Sequence, residues 1–183
     1  PAIAYYRANG GERFIGKSLI LLSQTFSDQG QYAEAIKVLK RYQQVEPTDP
    51  EVPGTQKEII ALNFELGRFN AVWAELERYP KLFGPSSRWA SANQGNAALY
   101  KEVQQTIKDQ ILYYAKLTHK SSQKDDNKKG YVEALRGYNL FLKNYPKATE
   151  VAEGQFNMAD IYYFAKQFRE SGQLYRDICL PGK

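Results

Sequence analysis

GKSLILLSQTFSDQGQYAEAIKVLKRYQQVEPTD, residues 16–49, decides how the rest of the chain is read. Leu19, Leu22, Ser23 and Phe26 recur at helical spacing before Gly30-Gln31-Tyr32 interrupts them. Ala35, Leu39 and Tyr42 then resume the spacing until Pro47 stops it. Ser23 and Ala35 are small enough to let two helices cross closely. Gly30 can take the left-handed conformation that ends the first helix, and Tyr32 fills the bend. The segment therefore predicts two helices folded back on one another.

The bend aromatic returns along the chain. Phe69 in Leu66-Gly67-Arg68-Phe69 lies 37 residues after Tyr32, and Phe168 lies 37 residues after Tyr131 in Lys129-Gly130-Tyr131. Ala134, Tyr138, Phe141 and Pro146 follow Tyr131 as Ala35, Leu39, Tyr42 and Pro47 follow Tyr32. Met158, Ala159 and Tyr162 precede Phe168 as Leu22, Ser23 and Phe26 precede Tyr32. The 62 residues from Phe69 to Tyr131 are too many for one repeat of about 34 and too few for two. They read as one unit with two insertions. One insertion, near 84–95, is a turn-rich loop with a short helical piece; the other, near 120–129, is a lysine-rich loop lengthening the turn after a helix from Ala97 to His119. Asn96 is the expected N-cap of that helix, Thr149 is a candidate cap, and Thr55-Gln56-Lys57-Glu58 has capping-box spacing. The second repeat is degenerate, with Asn63 where an aromatic is expected and Val72 at the small position. Residues 1–10 read as the end of a preceding helix. The repeats run over roughly 16–49, 53–83, 97–146 and 149–180 within one array covering 1–183, and no stretch alternates as a strand would.

A large residue, a small partner, a bend aromatic, an alanine, an aromatic and a proline at these separations resemble the tetratricopeptide repeat (TPR). Here Leu19, Ser23, Phe26 and Leu39 stand for the usual Trp, Gly, Tyr and Phe. The resemblance implies an all-α fold: a right-handed superhelical stack of antiparallel helix pairs, an α-solenoid. Phe141-Leu142-Lys143-Asn144-Tyr145-Pro146, followed by Ala152, Met158, Ala159, Asp160, Ile161, Tyr162 and Tyr163, is similar to TPR proteins of the bacterial cell envelope, such as the Tol–Pal coordinator and outer-membrane assembly proteins. Leu82 to Ala90 is similar to large TPR proteins of gliding and predatory bacteria. A periplasmic or outer-membrane-associated setting and a cytoplasmic one stay equally open. The chain begins with Pro1 and reads as a piece of a longer protein.

Catalytic chemistry is thinly represented. His119 is the one histidine and Cys179 the one cysteine, so neither a zinc site nor a Cys–His couple assembles from them alone, and no disulfide framework forms within the chain. His119 reads as a helix-terminal cation favoured by the macrodipole. No phosphate loop, nucleophile elbow or His-Glu-x-x-His is present. Asp125-Asp126 stands in a lysine-rich, solvated stretch without the apolar surroundings of a catalytic carboxylate pair. The expectation is a chain without cofactor or metal and not an enzyme. No apolar run, Leu19 to Leu22 among them, approaches the roughly 18–20 residues of a membrane span.

The expected function is a scaffold holding a protein or peptide on its concave face. On the first helices of the pairs the groove residues would be Gln24, Lys57, Phe64, Leu112, Lys116, Lys120, Phe156, Asp160, Tyr163 and Phe164. Lys17, Ile20 and Ser27 accompany Gln24, and Ala61 accompanies Lys57; the paired asparagines of the TPR carboxylate clamp are missing from both sets. In Tyr113-Tyr114 and Tyr162-Tyr163, neighbours point about 100° apart, so one of each enters the core and the other can face the groove. A net charge of +5 is weak evidence for nucleic acid, and the basic run from Lys116 to Lys129 reads as a solvated insertion. The period, close to that of pentatricopeptide arrays, keeps a nucleic-acid-binding helical repeat as the alternative, alongside a docking or regulatory part of a larger enzyme. The oligomeric state has no signature in the sequence.

Overall fold

Three bends close with the same three backbone hydrogen bonds, and they set the chain's geometry. At the first, the amides of Gln29, Gly30 and Gln31 donate to the carbonyls of Thr25, Ser27 and Phe26. Leu66, Gly67 and Arg68 repeat this onto Leu62, Phe64 and Asn63, and Ala165, Lys166 and Gln167 onto Ile161, Tyr163 and Tyr162. The five-residue reach of the third bond in each set is that of a Schellman closure, which needs one residue in the left-handed region. Gly30 (φ 71°) and Gly67 (φ 66°) supply it, and at the last bend Lys166 does so with φ 60°.

The computed structural model describes residues 8–9, 11, 14–125 and 127–180. Among them are nine helices: α1 (Ile15–Asp28), α2 (Tyr32–Val45), α3 (Val52–Glu65), α4 (Phe69–Phe83), α5 (Arg88–Ala92), α6 (Ala97–Asp125), α7 (Lys128–Asn144), α8 (Val151–Phe164) and α9 (Phe168–Cys179). The fold is all-α, with no strand among the described residues. The chain forms two compact units, the first ending at Gln104 and the second beginning at Gln105. Residues 1–10, read above as a helix end, fall outside the described residues except for Ala8 and Asn9.

In the first unit α1 packs on α2, α2 on α3 and α3 on α4. Ala35, Ile36, Leu39, Ile59 and Leu62 form the core between them, flanked by Ile20, Phe26, Tyr32 and Leu66. Ser23 is fully buried at the α1–α2 crossing and returns its hydroxyl to the Ile20 carbonyl at 2.7 Å, so the small side chain costs no unpaired donor. Asn63, where an aromatic was expected, does likewise onto Ile59 at 2.8 Å. A buried carboxylate joins three helices: Glu75 of α4 accepts from Lys40 of α2 at 2.6 Å, Gln56 of α3 at 2.9 Å and Arg78 at 3.0 Å. Burial alone would raise its pKa, but the Lys40 and Gln56 hydrogen bonds and the Lys40 and Arg78 charges hold it below the usual carboxylate range.

The insertion near 84–95 is packed structure. Ser87 caps α5 by accepting from the Ala90 amide at 3.1 Å. Trp89 then enters the core against Phe83, which in turn meets Tyr79 edge to face. The Trp89 indole donates to the Asp49 carbonyl at 2.9 Å, and the Asn93 amide donates to the Thr48 carbonyl at 2.9 Å. The insertion thus clips the α2–α3 connection in place.

In the second unit α7 packs on α8 and α8 on α9. The expected loop over 120–129 is largely helix, because α6 continues through Lys120 to Asp125. Lysine and glutamine are good helix formers, and no Gly or Pro stands in the way. The turn is completed at Asn127, whose side chain accepts from the Lys129 and Gly130 amides and caps α7. Gly130 is accordingly a helical residue and not the bend glycine. A Cβ there would collide with Ser122, so the glycine permits close approach of α6 and α7.

Other helix ends correct the reading as well. Asn96 does cap α6, accepting from Leu99 at 3.0 Å. Thr55 caps nothing: α3 begins at Val52 with Pro53 in its first turn, and the buried Thr55 hydroxyl donates to the Val52 carbonyl at 2.7 Å. At α8 the N-cap is Glu150, with no side-chain cap bond, and Thr149 bonds the Glu150 carboxylate.

Candidate functional site

The first unit contains an open groove of about 750 Å³ between α1 and α3. One wall is a stripe of α1, Lys17, Ile20, Leu21 and Gln24, whose spacing puts all four on one face. The opposite wall is the first turns of α3, with Gly54, Thr55 and Glu58. Tyr42 and Glu46 from the end of α2, then Asp49 and Glu51 from the connection, complete it.

The connection is held from three sides. Asp49 accepts the Glu51 amide at 2.8 Å, an Asx-type closure, and also the Tyr42 phenol. Its backbone carbonyl takes the Trp89 indole. Burial, then the hydrogen bond and charge of Asp49, push the Tyr42 phenol far above its ordinary pKa, so it stays a neutral donor. Four carboxylates, Glu46, Asp49, Glu51 and Glu58, stand against one lysine in this lining. Partial burial raises the Glu58 pKa. Among the described residues none of the four carboxylates forms an ion pair. Gly54 adds open space: a Cβ at that position would meet no atom within 4 Å.

Of the sequence-derived groove set, Gln24 lines this cavity together with its companions Lys17 and Ile20. Lys57 is exposed on α3 but outside the lining, which uses the neighbouring faces of Thr55 and Glu58. Phe64 is half-buried near the bend, edge to face with Phe69 at 5.7 Å.

The other candidates belong to the second unit. Lys116 is paired with Glu153 at 2.6 Å, and Lys120 is exposed. Asp160 accepts from Gln123 at 2.9 Å. Phe156, Tyr163 and Phe164 are each about half exposed; Phe156 meets Tyr175 at 5.4 Å, while Tyr163 meets Phe164 at 5.9 Å and Phe168 at 5.6 Å. Leu112 leaves the set: it is only 6% exposed, because its side of α6 packs into the core with Ile111 and Ala115. The tyrosine pairs divide as their spacing implies, with Tyr114 buried and Tyr113 exposed, Tyr162 half-buried and Tyr163 exposed.

His119 lies inside α6 and not at its end, since the helix runs on to Asp125. It is buried between Tyr131 and Tyr138, with Nδ1 3.4 Å from the Tyr138 hydroxyl and Nε2 3.8 Å from Asp160. Burial lowers its pKa and the Asp160 charge opposes that, leaving a net depression. The neutral ring therefore replaces the helix-terminal cation that was expected. No group of three or more His, Cys, Asp or Glu side chains is placed to hold a metal ion among the described residues. No helix among them is long and apolar enough to cross a membrane.

The four groove carboxylates were missed from sequence. Three of them stand in Glu46-Pro47-Thr48-Asp49-Pro50-Glu51, where the prolines point to helix termination and hide the acidic side chains around them; Glu58 follows in the second turn of α3.

No protein-family model matches the chain, and no curated protein matches it. Among solved structures it is similar to TPR-like repeats of a Podosopora anserina protein described as a kinesin light chain, at 15% identity and a TM-score of 0.32, over 92% of this chain and 94% of that one. A singly substituted form of that protein overlaps at 14% identity and a TM-score of 0.30, over 92% and 93%. At that degree of overlap the helix pairing described above, and not the likeness, carries the fold. Neither structure bears on a bacterial cell-envelope setting.

Proposed function

We propose that the chain is a non-catalytic TPR-type scaffold that binds a segment of another polypeptide on the open faces of the first helices of its pairs. The observation that carries this is the groove between α1 and α3. Its volume of about 750 Å³ falls in the range of built binding sites, roughly 300–1,000 Å³. Apolar side chains on one wall and carboxylates without an ion-pair partner on the others are what a short segment with an anchoring side chain requires. The four carboxylates of the lining argue against a phosphate backbone there, because binding nucleic acid depends on neutralising phosphates with Lys and Arg.

Gly54→Trp tests the reading directly. The position is open, and replacing glycine inside a helix favours the helical state, so the variant fills the groove while keeping the fold. Peptides selected from a displayed random library on the wild-type chain should bind the variant at least about tenfold more weakly, a change of about 1.4 kcal/mol. Selected peptides that bind both forms equally would place binding elsewhere, and failure to select any would count against a peptide scaffold.

A further inference from the structure

We infer that the segment taken by the α1–α3 groove is basic: a Lys/Arg-bearing stretch with an aliphatic or aromatic anchor. This rests on the peptide-binding reading above and adds the chemistry of the partner. Three observations converge on it.

The first is charge. The chain as a whole carries +5, yet this lining holds four carboxylates and one lysine. A locally acidic cleft in a basic protein is a focused field, and it raises the local concentration of cationic segments. The second is the state of those carboxylates. Glu75, the buried carboxylate of the same unit, is neutralised by Lys40 and Arg78, whereas Glu46, Asp49, Glu51 and Glu58 have no cationic partner among the described residues. Glu58 is partly desolvated as well, and a nearby cation would relieve the cost that raises its pKa.

The third is preorganisation. The acidic connection is fixed by contacts from outside the groove: the Trp89 indole on the Asp49 carbonyl and the Asn93 amide on the Thr48 carbonyl. Asp49 accepts the Glu51 amide and the Tyr42 phenol, which orient the carboxylate without neutralising it. Fixed acceptors lose little entropy on binding, and guanidinium groups engage carboxylates in a bidentate fork. Across the groove, Ile20 and the largely exposed Leu21 supply an apolar wall for the anchor. A segment with cationic residues toward α3 and the connection, and an apolar one toward α1, satisfies both walls.

The test uses the full 183-residue chain and three fluorescein-labelled synthetic peptides, read by fluorescence anisotropy. One alternates Lys/Arg with Leu, one replaces its cations by Glu, and one keeps the cations but replaces Leu by Ser. The basic amphipathic peptide should bind and the Glu form should not, with the Ser form weaker than the first. Glu58→Gln and Glu51→Gln should each weaken binding about twofold to fivefold. Gly54→Trp should remove it, and raising salt from about 50 to about 300 mM should weaken it. Circular dichroism confirms that each variant keeps its helices.

Binding of the Glu peptide as tightly as the basic one, still lost in Gly54→Trp, would overturn the charge assignment and leave the peptide-binding reading standing. Binding of no peptide at all would overturn both. Displacement of the basic peptide by free spermidine at equal charge concentration would reassign the groove to a small polycation and overturn the inference.

Discussion

Lys166 is the residue to change first, because it does a glycine's work with a side chain. It closes the α8–α9 bend with φ 60°, whereas Gly30 and Gly67 close their bends at 71° and 66° through the same three hydrogen bonds. An L-residue in this region carries about 1–2 kcal/mol of steric cost that glycine does not. Glycine gives back about 0.4–1 kcal/mol through the greater freedom of its unfolded chain. Removing the lysine also forfeits a favourable cation at the end of α8, worth about 0.3 kcal/mol at an exposed site. The balance for Lys166→Gly is a gain of about 0.5 kcal/mol. For a chain of this size that raises the melting temperature by about 1–2 °C.

The assay is urea and thermal unfolding followed by far-UV circular dichroism, with Lys166→Ala as the control. Alanine keeps the strained backbone and loses the charge, so it should be neutral or slightly destabilising. Gly67→Ala should cost about 1 kcal/mol, the same strain brought to a bend that lacks it less the entropy that alanine saves in the unfolded chain. The reasoning fails if Lys166→Gly proves less stable than wild type, or if Lys166→Ala gains as much as the glycine does.

Two further outcomes follow from the packing. Glu75 has a depressed folded pKa, so its contribution is present above the unfolded carboxylate value of about 4.3 and is lost as pH falls through the folded value. Glu75→Ala should cost about 2 kcal/mol at pH 7, by removing the shorter of the two bonds from the buried Gln56 amide and the partner of Lys40 and Arg78, and the gap in urea midpoint from wild type should narrow on acidification to about pH 3. Gly130→Ala places a methyl group on Ser122 and should cost about 1–3 kcal/mol; Ser122→Gly in the same chain should recover most of the loss in a double-mutant cycle.

The helix pairs were legible because the bend leaves a mark in sequence: a small residue, an aromatic and a glycine at fixed separation. Gly30 and Gly67 announce their turns, while Lys166 hides one, since nothing about a lysine signals positive φ. Tyr131 misplaced its bend for a related reason. The aromatic and alanine positions of α7 keep repeat spacing, but an added turn from Lys128 to Gly130 moves the helix start away from them. The polarity of Lys120–Asp125 suggests a loop, but propensity and the absence of breakers favour helix there.

The site was less legible than the fold. The α1 stripe follows from helical period alone, so Gln24 could be placed beside Lys17 and Ile20. What faces it depends on how α3 is rotated, and that is set by Pro53 starting the helix at Val52 and by Gln56 turning inward to Glu75. Neither is visible in a one-dimensional pattern. The contribution of Trp89 from 40 residues away is a tertiary fact altogether.

That tryptophan has a spectroscopic consequence. The chain has two tryptophans, Trp73 and Trp89, and both are buried in the unit that ends at Gln104. Tryptophan emission excited at the red edge therefore watches one half of the molecule, while the signal from the peptide backbone watches both. Where the two traces part during denaturation, the halves melt separately; where they coincide, they melt as one. The molecule carries its own label for asking how far cooperativity extends along it.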